Sequence, residues 1–169
     1  MRKHEQPFLL LDTNILIWGL LQSGDTPEAQ KMVEKATSYL DKAAKEGQPM
    51  AISIVTVGEV LVCISPEERE KFIAILQKNF VILPYDLAAA KKAAEIFSEI
   101  FGKMKSSYKG QRGLLRQDIQ ILASALANGN TSVIVTEDSG FKDMARHYLT
   151  VIELPDPPMT QMELFNQQS

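Results

Sequence analysis

The sequence predicts an α/β fold, a three-layer α/β/α sandwich around a central parallel sheet. Three observations lead there. Short apolar runs alternate along the chain with longer segments of helical periodicity. The runs are apolar at successive positions rather than at every second one, as strands buried on both faces require. Between them lie helix-start signals, residues that cap and acidify a first turn.

The elements follow in order. Phe8 to Leu11 is a buried strand that ends abruptly on Asp12-Thr13-Asn14, a turn into a helix over Ile15 to Leu21. Thr26-Pro27-Glu28 supplies a cap, a first-position proline and an early acid. It opens a helix with Met32, Val33, Ala36, Leu40 and Ala43 on one face and Gly47 beyond its end. Ala51 to Val55 is the second strand and Thr56 to Ile64 a short helix. Ser65-Pro66-Glu67-Glu68 then begins another helix, with Glu68 placed for a capping box. Phe80 to Leu83 is the third strand. Asp86 caps a long helix carrying Leu87, Ala90, Ala94, Phe97 and Phe101. A Gly- and Ser-containing loop runs from Gly102 to Gln117, and Asp118 to Ala127 is the next helix. Ser132 to Val135 is a strand, Asp138 to Tyr148 a helix and Thr150 to Ile152 the last strand. No internal repeat and no low-complexity tract interrupts the pattern.

A chain of 169 residues, 45% of them hydrophobic, suffices for one substantial core. We read one domain over residues 1–154 and a proline-rich tail over 155–169 that leaves it as an arm. The longest apolar candidate, Ala51 to Ile64, is broken by Glu59 and falls short of the roughly 20 residues a membrane span needs. The apolar run before Asp12 is too short for the core of a secretory signal, so a cytoplasmic protein is expected. The single cysteine, Cys63, excludes an internal disulfide and a cysteine-based metal site, and its apolar neighbours suggest core filling.

Net charge is −3 and the pI about 5.5, which argues mildly against nucleic-acid binding. The distribution of charge argues for it. Lys103, Lys105, Lys109, Arg112 and Arg116 follow one another without an intervening acid, a cationic segment suited either to a phosphate backbone or simply to solvent.

In a parallel α/β sheet the C-terminal ends of the strands and the N-termini of the following helices share one edge, where ligands bind. Asp12 ends the first strand, and Asp138 follows the fourth through Thr136 and Glu137. Glu59 lies just after the second strand, with Val55, Val62 and Cys63 at helical spacing, which predicts an inward face. Asp118 begins its helix above Ile121, Leu122 and Ala125. Each acid has an ordinary use: Asp12 and Asp138 as helix caps, Asp118 as a first-turn acid, Glu59 on a solvent-facing turn. Their shared edge favours another. Two carboxylates about 4 Å apart repel by roughly 4 kcal/mol at an effective dielectric near 20, and divalent cations relieve this most simply. Oxygen-only ligands, with no His or Cys nearby in sequence, favour Mg²⁺ or Mn²⁺. Such ions can activate water against a phosphodiester. Thr13, Asn14 and Thr136 either orient these ligands or shape turns.

Four segments carry a family resemblance: Leu-Leu-Leu-Asp12-Thr13-Asn14, Ser53-Ile-Val-Thr-Val-Gly-Glu59, Asp118-Ile-Gln-Ile-Leu-Ala-Ser-Ala-Leu-Ala and Val-Thr136-Glu-Asp138-Ser-Gly-Phe141. In this order they resemble the motifs of PIN domains, especially VapC-type toxins, from about Phe8 to Ile152. The resemblance implies an α/β/α sandwich, Mg²⁺ or Mn²⁺, cleavage of RNA, frequent homodimers and, for the toxins, an inhibitory antitoxin. It implies that Asp12, Glu59, Asp118 and Asp138 carry a catalytic metal site. The helix from Thr26 to Lys45 and the loop from Gly102 to Gln117 make this chain longer than many compact toxins. A non-catalytic PIN-like module that binds RNA or a protein is the alternative. A haloacid-dehalogenase-type phosphatase would need a second Asp where Asn14 stands. Serine-hydrolase and P-loop motifs are absent, and His4 and His147 lie far from the acids in sequence.

Overall fold

The structure is a computed structural model that describes residues 6–103 and 112–157. Its sheet holds β1 (Phe8–Leu11), β2 (Met50–Ser53), β3 (Val81–Leu83), β4 (Thr131–Val135) and β5 (Thr150–Ile152), in the order β3-β2-β1-β4-β5 with every pairing parallel. Helices α1 (Thr13–Gly19) and α2 (Pro27–Lys45) join β1 to β2, and α3 (Ile54–Val62) and α4 (Arg69–Asn79) join β2 to β3. On the return, α5 (Leu87–Lys103) and α6 (Arg112–Asn128) precede β4, and α7 (Ser139–Ala145) precedes β5.

Successive strand residues point to opposite faces, and the core divides accordingly. Leu10, Ala51 and Ile134 pack on one side with Ile96 of α5, Ile119 and Leu122 of α6 and Phe141 of α7. Leu11, Ile52 and Val135 pack on the other with Ile15 and Leu16 of α1, Leu40 of α2, Val60 of α3 and Leu76 of α4. The three layers expected from continuous apolar strands are therefore present. β1 lies at the centre, and the chain winds outward from it in both directions. The C-terminal ends of β1 and β4 consequently flank the switch point of the topology, the crevice where open α/β sheets bind ligands.

Local chemistry sets some boundaries where the sequence places them. The Thr26 hydroxyl accepts from Ala29 N–H at 3.1 Å to start α2, and Gly47 sits at φ +67° just past its end. Asp86 accepts from Ala89 N–H at 3.0 Å at the start of α5. Among the described residues no helix is long and apolar enough to cross a membrane.

Four expectations need correction. The second strand stops at Ser53, whose hydroxyl accepts from Val55 N–H at 3.2 Å and turns the chain into α3 two residues early. Ser65 donates to the Glu68 carboxylate at 2.9 Å without capping a backbone N–H, and a 3₁₀ turn over Pro66–Glu68 precedes α4. Helix α5 buries Ala89, Ala93 and Ile96 and leaves Leu87 79% exposed. Two apolar stripes compete on that helix, and the one with small residues lets it lie closer to its neighbours. Cys63 is exposed rather than core filler, because it caps the C-terminal end of α3 beyond the buried turns of Thr56, Val57 and Val60.

Candidate active site

Asp12 leaves β1 at the sheet edge, its N–H donating to Val135 C=O at 3.1 Å. The side chain is buried and fully engaged: Oδ1 accepts from Thr13 N–H at 2.7 Å, which caps α1, and Oδ2 accepts from the Thr136 hydroxyl at 2.7 Å. That hydroxyl in turn accepts from Asp138 N–H at 3.1 Å. Thr136 thus pins the ends of β1 and β4 together. Asp138 is exposed and caps α7 through Phe141 N–H at 2.7 Å. Both aspartates therefore do serve as helix caps, and capping fixes their position at the edge.

Glu59 is half-buried on α3, where its carboxylate accepts a short hydrogen bond from the Thr13 hydroxyl of α1. Its apolar sequence neighbours are a mixed guide: Val55 packs against the core, whereas Val62 is 79% exposed and Cys63 is exposed, and Glu59 is held by its partner on α1. Asp118 is partly buried and accepts no hydrogen bond among the described residues. It does not begin its helix. Helix α6 starts at Arg112, since Leu114, Leu115 and Arg116 are good helix formers that extend it upstream.

The electrostatics bring the four acids into one field. Burial pushes the Asp12 carboxyl up to about 6, against the lowering effect of its bonds from Thr136 and Thr13, and Asp138 and Glu59 raise it further. Burial pushes Asp118 up to about 7, with Asp12, Asp138 and Glu59 all adding to the rise. Among the described residues no lysine or arginine forms an ion pair with any of the four. Nor does any group of three or more His, Cys, Asp or Glu side chains among them close around an ion-sized space. The donor set nonetheless fits a hard divalent cation: carboxylate and hydroxyl oxygens only, with the partly buried Asp118 carboxylate accepting no hydrogen bond among the described residues.

The remaining sequence candidates are scattered. Asn14 makes no side-chain hydrogen bond among the described residues. Lys105 and Lys109 lie outside the described residues. Lys103 ends α5 and Arg112 starts α6, so the basic segment is helical at both ends and not a continuous loop. Arg116 is exposed on α6 two positions before Asp118. Sequence reasoning missed Glu137, whose Oε1 accepts from Leu154 N–H at 2.6 Å and anchors the turn before Asp138. It also assigned nothing to Ser53 and Ser124, which meet in the core. Only their place inside two of the motifs hinted at them.

A parallel α/β sandwich with acids at its switch point agrees with the family match: residues 9–147 fit the PIN domain, and the chain belongs to that family. Its structural neighbours are VapC toxins of VapBC toxin–antitoxin complexes. The chain is similar to VapBC2 from Rickettsia felis bound to a promoter DNA fragment, at 18% identity, over 88% of this chain and 99% of that one, with a TM-score of 0.60. It is similar to DNA-bound VapBC from Salmonella typhimurium, at 18% identity, 89% and 100% coverage and a TM-score of 0.61. VapBC-1 from nontypeable Haemophilus influenzae matches at 16% identity, 87% and 98% coverage and a TM-score of 0.58. At these identities the likeness is one of fold. Comparison with curated proteins returns no match.

Proposed function

We propose that this chain is a divalent-metal-dependent endoribonuclease, in which Asp12, Glu59, Asp118 and Asp138 hold Mg²⁺ or Mn²⁺. The observation that carries this reading is that burial raises the Asp12 and Asp118 carboxyls and the neighbouring acids add to the rise, with no basic side chain ion-paired to any of the four among the described residues. A bound cation would supply Lewis-acid stabilisation of the phosphodiester and a water of lowered pKa. The protein's own groups set the geometry. Thr136 and the Thr13 N–H hold the Asp12 carboxylate, and the Thr13 hydroxyl holds Glu59. Residues Lys103, Lys105, Lys109, Arg112 and Arg116, a run of cations without an intervening acid, then serve the phosphate backbone of the RNA. The similar structures are toxin–antitoxin complexes, which supports an antitoxin protein as partner, and the family resemblance supports a homodimer.

The second reading is a PIN-like module that binds RNA or protein without cutting; no group of three or more acids among the described residues is gathered closely enough to hold an ion. Mn²⁺ titration by calorimetry separates the two. The nuclease reading expects binding by the wild type and binding weakened at least tenfold in Asp12→Asn, since a carboxylate ligand is lost. Equal binding in both would sink the site assignment.

A further inference from the structure

Ser53 and Ser124 form a buried polar joint between the two helices that carry Glu59 and Asp118. Ser53 is fully buried at the start of α3 and Ser124 is all but fully buried in α6. The Ser53 hydroxyl donates to Ser124 Oγ at 3.2 Å, and Ser124 donates to Gln120 C=O at 2.9 Å. Val55 N–H donates to Ser53 Oγ at 3.2 Å. Every donor in this chain has an acceptor, so its direction is fixed and neither hydroxyl can turn away without leaving a buried polar group unpaired.

The surroundings are apolar. Ala51, Leu122, Ala123 and Ala125 of the same core need no such pair, and alanines at both positions would fill the contact without any hydrogen bond. An apolar contact lets two helices slide or roll over one another at little cost, whereas a directional hydrogen bond specifies one register. Glu59 stands six residues beyond Ser53 and Asp118 six before Ser124. At about 1.5 Å rise per residue each acid is about 9 Å of rigid helix from the joint. A shift of α3 against α6 at the joint therefore moves Glu59 relative to Asp118 by a similar amount.

We propose that Ser53 and Ser124 are positioning residues that set the separation of Glu59 and Asp118, and so the spacing of the donors offered to a divalent cation. This rests on the metal-dependent reading above. Groups that orient ligands without touching the metal typically change its affinity by about 10- to 100-fold when removed.

The test is Mn²⁺ affinity by calorimetry in wild type, Ser124→Ala and Ser124→Cys, the last keeping the volume with a poor acceptor in place of the hydroxyl. Circular dichroism reports folding, and Ile96→Val serves as a control that loosens the same core without touching the joint. We expect both Ser124 variants to raise the Mn²⁺ Kd about tenfold, with RNA affinity in EDTA unchanged, and Ile96→Val to leave the Kd at the wild-type value. A wild-type Kd in either folded Ser124 variant, or an equal rise in Ile96→Val, overturns the joint while leaving the nuclease reading standing. A wild type that binds no Mn²⁺ overturns both.

Discussion

At the scale of single residues, the chemistry turns on carboxylates held where ionising is costly. Below the ordinary carboxylate value of 3.8, Asp12 and Asp118 are protonated in both folded and unfolded chains. Above it the unfolded chain ionises freely, while the folded chain keeps its protons until about 6 at Asp12 and about 7 at Asp118. The folded state binds more protons across that window, so its stability falls as pH rises. Thermal melts in EDTA should give a lower Tm at pH 8 than at pH 5, and Mn²⁺ should raise the pH 8 value more than the pH 5 value. A metal-free Tm that climbs between those pH values would contradict the raised carboxyls. Thr136 is the other residue that matters. Thr136→Val removes the hydroxyl that donates to buried Asp12 and accepts from Asp138 N–H. The expected loss in urea denaturation is about 1–3 kcal/mol.

Much of this was legible beforehand. Asp12 and Asp138 could be placed because one directly follows a strand and the other stands three residues past one, and the strand's end fixes the edge. Glu59 and Asp118 were harder. Helical spacing gave Glu59 apolar neighbours of which the fold packs Val55 and exposes Val62 and Cys63, and its hydrogen bond from Thr13 spans 46 positions of sequence. No local pattern carries such a contact. The same holds for the Ser53–Ser124 joint, 71 positions apart.

At the scale of elements, helix and strand identities followed from periodicity and caps, while boundaries and buried faces followed from packing. The start of α6 slipped because Gly113 and the basic residues read as loop, although Leu114 and Leu115 favour helix. Helix α5 offered two stripes, and only its neighbours chose between them. Two glycines give opposite expectations at this scale. A Cβ at Gly58, on the exposed face of α3, meets nothing within 4 Å, so Gly58→Ala should stabilise by about 0.5–1 kcal/mol through helix propensity alone. At Gly19 a Cβ would collide with the Leu40 side chain and reach Ala36 backbone carbon at 3.4 Å, so Gly19→Ala should cost about 1–3 kcal/mol by overpacking α1 against α2. Chemical denaturation of both variants reads the two signs. Destabilisation by Gly58→Ala would mean that α3 is covered there.

At the scale of the whole molecule, the parallel sheet was implied by strands apolar on both faces, but the order β3-β2-β1-β4-β5 was not. Pairing joins β1 to the next strand, β2, on one side and to the distant β4 on the other, and no single strand's composition encodes its neighbours. That order makes the clustering meaningful, because it puts the switch point between the ends of β1 and β4, beside Asp12, Thr136 and Asp138. Helix α3, which carries Glu59, packs against both α1 and α6, the helix that carries Asp118.

The most direct test of a metal-dependent nuclease at this edge is single-turnover cleavage of a diverse single-stranded RNA pool by wild type and Asp118→Asn, in Mn²⁺ and in EDTA, with RNA binding measured in parallel. Asparagine is nearly isosteric and uncharged, so it relieves the repulsion at a carboxyl already raised to about 7, and the fold should survive. The expected result is cleavage by the wild type in Mn²⁺ only, and a mutant that binds RNA as tightly but cuts at least 100-fold more slowly, because only transition-state stabilisation is removed. Undiminished cleavage by Asp118→Asn, or wild-type cleavage that persists in EDTA, would contradict it.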